Sequence, residues 1–301
     1  MENFGILNVC KPSGCTSRDV VDRVERMVRP AKAGHAGTLD PLASGVLVIC
    51  VGQATRLIQY VQQMPKTYRA TFVLGKRSAT DDTEGVLEDV PNATAPTHTT
   101  LETTLSRFVG EISQRPPDHS AVKVAGKRAY ELARRGLEVQ LKPRTVTIYR
   151  LGLLSYAYPE LMLDIECGSG TYVRSLGRDL GDMLGTGAVM SALERTAIGQ
   201  FRVADALPLE YLNSDSLVQN VQPALAALAD FPRVALSEAQ LLEVDRGRPI
   251  LKAWLADLDP SGAVHSEMAA TDSHGNLAAI LYEKHPGELW PRVNFTKSPL
   301  R

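Results

Sequence analysis

Residues 34–47 read GHAGTLDPLASGVL, and the chain runs on as VICV to residue 51. A single carboxylate, Asp40, sits there among glycines and small side chains. The continuous apolar run over 46–51 predicts a buried strand, because a strand covered on both faces has no polar alternation. Pro41 disfavours helical angles at Asp40, and Gly37 and Gly45 allow approaches that a side chain would block. A carboxylate on a tight loop at the mouth of a buried strand is well placed to meet a ligand. On spacing alone the plainer alternative is the commoner one: Asp40 caps a short turn with Pro41 at its first position.

On the N-terminal side, residues 5–9 predict a short strand. Lys11, Pro12, Ser13 and Gly14 make a turn, and Thr16 or Ser17 offers an N-cap. Val20, Val21, Val24, Met27 and Val28 then recur at helical spacing until Pro30 ends the helix. On the other side, a helix to Gln63 precedes a β-rich alternation over 66–75 that reads as a strand and carries Tyr68 near its start. Residues 86–100, rich in Pro, Thr and Asn, predict an exposed connector. Leu101, Leu105, Phe108 and Val109 suggest an amphipathic helix stopped by Gly110. Two strands are expected around a Tyr-Pro turn, over 145–154 and 161–167. A helix follows towards Leu184, with Tyr172, Leu176 and Leu180 as its apolar stripe and Arg174 and Arg178 on another face. An arginine at a helix start opposes the helix dipole, so Arg174 is expected to serve some other partner. Residues 210–232 contain no Lys or Arg and suggest a helix plus connector. Ser237 and Gln240 form a capping box for a last helix ended by Gly247. Short strand-like pieces, including 278–282, complete the chain.

With 301 residues, 44% hydrophobic and 22% charged, the composition fits one large soluble domain plus a small one. No window is long and apolar enough for a membrane span, and the first residues lack a secretory pattern, so a cytoplasmic protein is expected. Cys10, Cys15, Cys50 and Cys167 are scattered without metal-ligand spacing, so no metal or disulfide is expected. The net charge of −1 hides an uneven spread: from Arg115 to Arg150 nine Lys/Arg stand against three acids. A local basic block on a neutral protein suggests one polyanion-facing patch, although a solvated helix face is the commoner meaning of a charge run.

The string GHAGTLDPLASGVL resembles the catalytic motif of the TruB family, bacterial synthases that convert uridine 55 in the tRNA T loop to pseudouridine. Such a long match is far more specific than a short glycine pattern. Other boxes agree in order: KPSGCTS at 11–17, KTYRATFVLG at 66–75, PPDHSAVKVAGKRAYELAR at 116–134, GTYVRSLGRDLG at 170–181 and LERTAIGQF at 193–201. Two departures stand out, Arg56 where the family usually has lysine, and Ala79 where it usually has an acid.

The resemblance implies an α+β fold: a pseudouridine-synthase catalytic domain on a mixed, largely antiparallel sheet with flanking helices, over 1–232. A basic thumb insertion at about 115–144 and a small β-rich PUA-like C-terminal domain over 233–301 complete it. It implies Asp40 as the catalytic carboxylate, Arg174 paired with it, and Tyr68 stacked on the extruded uracil. Leu193 would close the pocket, His35 would help evict the nucleotide, Lys11 would lie beside the catalytic loop, and Lys123, Arg128 and Arg134 would meet RNA phosphates. The isomerisation exchanges one glycosidic bond for another without net oxidation, so no cofactor is expected. The implied partner is the tRNA T stem-loop, with no membrane and no guide RNA, and a monomer is expected. Two alternatives remain open: an RNA-guided, dyskerin-like synthase and a non-catalytic tRNA-binding or folding factor.

Overall fold

A computed structural model describes residues 4–117, 123–124, 127–128, 141–255 and 266–296. A ten-stranded sheet organises the first part of the chain. Its strands are β1 (Gly5–Lys11), β2 (Ala33–His35), β3 (Ser44–Val51), β4 (Lys66–Leu74), β5 (Gly110–Gln114), β6 (Arg144–Ala157), β7 (Glu160–Cys167), β8 (Ala188–Ile198), β9 (Phe201–Arg202) and β10 (Leu207–Pro208). The main path runs β10-β1-β3-β8-β4-β7-β6-β5, with β9 beside β8 and β2 beside β3. Only β10–β1 and β3–β8 are parallel, so the sheet is mixed and largely antiparallel. The predicted 46–51 strand is the buried core of β3, at the middle of the sheet.

Among the described residues, four helices accompany that sheet. Helix α1 (Ser17–Val28) starts at a capping box in which Thr16 and Asp19 exchange hydrogen bonds. Its Val20, Val21 and Val24 pack against Leu7, Val9, Leu47 and Ile49 of β1 and β3. Each such side chain, taken fully out of water, contributes about 1.5–3 kcal/mol before entropy is counted. A 3₁₀ turn at Gly52–Leu57 leads into the short α2 (Ile58–Gln63). Helix α3 (His98–Ser106) begins on a Thr97 cap and ends earlier than the sequence suggests. Gly110, expected as its stop, instead opens β5 with a positive φ, while Phe108 packs into the core from the intervening turn. Helix α4 (Val173–Leu184) places Leu176 and Leu180 against Phe72, Leu161, Leu163 and Ile165 of the sheet. Gly177 faces Phe72 so closely that a Cβ would collide with the ring, which sets the depth at which α4 lies. Arg134 and residues 129–140 of the basic block lie outside the described residues.

Helix α5 (Ser214–Asn220) and a 3₁₀ turn at Ala224–Leu228 occupy the expected helix-plus-connector. Helix α6 (Glu238–Asp245) starts at the predicted Ser237–Gln240 capping box. A second sheet then forms from β11 (Arg233–Ala235), β12 (Ile250–Leu251), β13 (Glu267–Thr271), β14 (Leu277–His285) and β15 (Glu288–Asn294), in the order β11-β13-β14-β15-β12. Its inner face shares one apolar cluster with the first sheet, joining Ala269, Leu277, Ile280 and Val293 to Ala54, Leu57, Ala227 and Leu228.

Arg56, the departure from the family lysine, finds its partners at this seam. Its Nη1 donates to the Asn294 carbonyl at 2.6 Å, and its guanidinium lies 5.3 Å over the Phe295 ring. A lysine ammonium offers neither the planar stacking face nor the same fork of donors. Arg56→Ala should therefore loosen the end of the second sheet by about 0.5–1 kcal/mol, seen as faster hydrogen exchange at the Phe295 amide. Among the described residues no helix is long and apolar enough to cross a membrane.

Candidate active site

Asp40 stands on the loop between β2 and β3, and side chains from elsewhere fix that loop at several points. Ser17, in the first turn of α1, accepts from the Leu39 amide at 2.8 Å and donates to the Leu39 carbonyl at 3.0 Å. The Gly14 amide donates to the Pro41 carbonyl at 2.8 Å, and the Ala43 amide to the Asp40 carbonyl at 3.0 Å. The KPSGCTS box thus grips the backbone on both sides of the carboxylate. Asp40 does close a short turn, as the plainer reading held, but its side chain is spent elsewhere. Lys11 is fully buried, and its ammonium donates to the carbonyls of Pro12 and Cys15 at 2.9 and 2.8 Å. Burial holds its pKa below the usual lysine range.

Arg174, in the first turn of α4, lies with Nε 3.0 Å from Asp40 Oδ2. Its Nη1 donates to the Thr80 carbonyl at 3.0 Å and approaches Asp82 Oδ2 at 3.3 Å. The Arg174 and Asp82 side chains are 8% and 3% exposed, whereas that of Asp40 is 35% exposed. Asp40 is therefore the open end of a carboxylate–guanidinium–carboxylate chain whose other two members are buried. Charge-assisted bonds of this kind fix direction as well as adding attraction. Asp82 is held in turn by Thr80 Oγ1 at 2.5 Å and the Glu84 amide at 3.1 Å. Sequence reasoning did not single out Asp82, whose partner is 92 residues away.

The next turn of α4 repeats the arrangement. Arg178 pairs with Asp81 at 2.9 Å and with Asp179 at 2.9 Å, and donates to the Arg115 carbonyl at 2.9 Å. Burial pushes the Asp81 carboxyl up to about 6, and the arginines beside it act in the opposite direction. Ser175 also donates to the Arg115 carbonyl, and the Gln114 amide bonds both ways with the Tyr172 backbone. The point where the basic segment leaves β5 is thereby fastened to the helix that carries Arg174.

Tyr68 on β4 and Leu193 on β8 lie on one face of the sheet, since Tyr68 pairs with Arg195 and Leu193 with Ala70. Both are buried and join Leu39, Ala43, Val173 and Leu176 in one apolar patch, so Tyr68 sits deeper than a half-buried strand tyrosine. Burial raises its hydroxyl pKa. His35, on β2, is half-buried; burial first, and then the Arg195 charge, lower its pKa, so the imidazole is neutral at pH 7. Its Nδ1 accepts from the Gly37 amide at 3.4 Å. Lys123 and Arg128 are backbone partners in a short antiparallel ladder of the basic segment. Among the described residues no cluster of His, Cys, Asp or Glu could hold a metal ion.

The structure thus pairs Asp40 with Arg174, packs Tyr68 and Leu193 into the apolar cluster that holds Leu39 and Ala43 of the same loop, and sets His35 at the start of that loop. Residues 25–173 match the model for the TruB family pseudouridylate synthase N-terminal domain, and 174–230 that for the tRNA pseudouridylate synthase B C-terminal domain. The protein called tRNA pseudouridine synthase B of Symbiobacterium thermophilum is 47% identical over 236 residues, covering 77% of this chain and 78% of that protein. The one of the same name from Dehalococcoides mccartyi is 40% identical over 300 residues, covering 98% of each. Among solved structures, a Cbf5-Nop10-Gar1 complex contains a chain 26% identical, with a TM-score of 0.72 over 93% of this chain and 78% of that one. The family boxes, the pair of acid and arginine they bring together, and relatives matching from end to end lead to one conclusion: this chain belongs to the TruB family of pseudouridylate synthases.

Proposed function

We propose that this protein converts uridine 55 in the T loop of tRNA to pseudouridine, acting alone on a T stem-loop with Asp40 as its reactive carboxylate. The N1–C1′ bond breaks, a C5–C1′ bond forms, and the proton lost from C5 is matched by one gained at N1, so no redox partner is required. Attack on carbon and removal of a sugar proton both need the charged form of Asp40. The observation that carries the reading is the 3.0 Å contact between the buried Arg174 and the partly exposed Asp40 carboxylate. Tyr68 and Leu193 would hold the uracil between them, and His35 would fill the space that the extruded nucleotide leaves in the T loop. Lys123, Arg128 and Arg134 would meet phosphates and set affinity more than sequence choice. The relatives named tRNA pseudouridine synthase B favour an enzyme that works without guide RNA.

The same reading takes residues 1–232 as the catalytic domain with its thumb at about 115–144. Residues 233–301 would form a PUA-like domain on a monomeric cytoplasmic enzyme. The test is direct: purified protein incubated with unmodified tRNA transcript, and nothing else, should yield one pseudouridine, at position 55. Absence of product, or product only when a guide RNA is added, would overturn the proposal.

A further inference from the structure

Arg195 lies opposite Tyr68 in the β4–β8 register and is only 2% exposed. Its guanidinium donates to three backbone carbonyls: Nε to Val46 at 2.8 Å, Nη2 to Gly37 at 3.0 Å and Nη1 to Thr38 at 3.4 Å. Gly37 and Thr38 lead into Asp40, and Val46 leads away from it. The Arg195 and Tyr68 side chains project from facing positions of neighbouring strands, and the arginine charge acts to lower the Tyr68 hydroxyl pKa against the burial that raises it. The Arg195 backbone pairs in parallel with Gly45, where a Cβ would strike the Arg195 main chain. The positive φ of Gly45 permits that approach. One planar group therefore touches both arms of the catalytic loop, from the strand position directly opposite Tyr68.

Burying a cation is costly unless its donors are all used. The Arg195 guanidinium donates to backbone carbonyls, and its charge adds to burial in lowering the pKa values of Lys11, His35 and Lys66. A residue needed only to fill space here would not need a charged fork with separate acceptors in several directions.

We propose that Arg195 is a positioning residue that joins the Asp40 loop and Tyr68 into one rigid unit. Carboxylate and stacking ring then keep their separation when the nucleotide enters between them. The inference rests on the reading of Tyr68 as the ring beneath the uracil. It goes beyond that reading by assigning the geometry of the pair to a residue that touches neither base nor sugar.

The experiment compares wild type, Arg195→Lys, Arg195→Met, Tyr68→Phe and the Arg195→Met/Tyr68→Phe double variant on unmodified tRNA transcript. Each is assayed well below its own melting temperature, with enzyme in excess. Both Arg195 variants should lose about 10²-fold in the single-turnover rate constant, as a misplacement of about 1 Å would cause. Their tRNA dissociation constants should stay within about threefold of wild type, because the loss is in the reacting state and not in binding. The double variant should be no slower than Arg195→Met alone, since the two residues act through one arrangement. Should Arg195→Met fail to fold, Arg195→Lys carries the test, as it keeps charge and bulk but donates from a single point. A lysine variant that turns over at the wild-type rate would overturn the proposal. So would a lowered melting temperature with an unchanged single-turnover rate, or a loss confined to tRNA binding. Wild type that makes no pseudouridine would instead sink the functional reading itself.

Discussion

Asp40→Asn should bind tRNA about as well as wild type and form pseudouridine at least about 10⁴-fold more slowly in single turnover. The amide has the shape of the carboxylate and can still accept a hydrogen bond from Arg174 Nε, now 3.0 Å from Oδ2. What it lacks is negative charge, which both carboxylate roles need. The loop should survive the change, because Ser17, Gly14 and Ala43 hold the backbone around position 40 through bonds that do not involve the Asp40 side chain. The melting temperature should thus move by no more than a few degrees, equivalent to about 1 kcal/mol. A variant that keeps even about one hundredth of the wild-type rate would mean that another group does the chemistry.

Arg174→Ala should damage stability and turnover together. It leaves Asp82, 2% exposed, without the guanidinium that neutralises it, and breaking a buried pair in this one-sided way costs about 3–5 kcal/mol. Turnover should fall about 10²–10³-fold, the usual consequence of removing one preorganised charged donor from a reacting group. Arg174→Lys should recover part of the stability and little of the rate, since one ammonium cannot reach Asp40, Thr80 and Asp82 at once. The two effects can be separated by adding Asp82→Asn to Arg174→Ala. With the stranded charge gone, the melting temperature should rise again while turnover stays low. Equal recovery of both would mean that the arginine serves only to balance the buried acid.

Local chemistry carried most of the fold into view. The buried β3 strand, the Thr16 start of α1 and the Ser237–Gln240 box follow from hydrophobic runs and caps that act within a few residues, and all three stand as expected. Helix α3 did not end at Gly110, because Phe108 gains more from reaching the core through a turn than from continuing the helix. The site was legible where a box named one residue and illegible where the meaning lies in pairing. Asp82 was not singled out and Arg195 only stood within a quoted string, because their partners are 92 and 149 residues away along the chain. Lys11 looked like a turn lysine, but its ammonium turned inward because the sharp bend after it offers two carbonyls. Arg56 could not be read from pattern, since the ring and carbonyl it meets belong to the second sheet.

The engagement of the 78–85 loop with α4 bears on how the enzyme can change over generations. Asp81 and Asp82 are neighbours in the chain, yet each meets a different arginine, and those arginines stand one helical turn apart. The left-handed backbone at Asp81, with φ of 60°, lets both carboxylates reach the same helix. Surface loops usually tolerate gain or loss of a residue. Here a one-residue indel would put each acid opposite the wrong partner, so drift in this segment is confined to substitutions and its length is frozen.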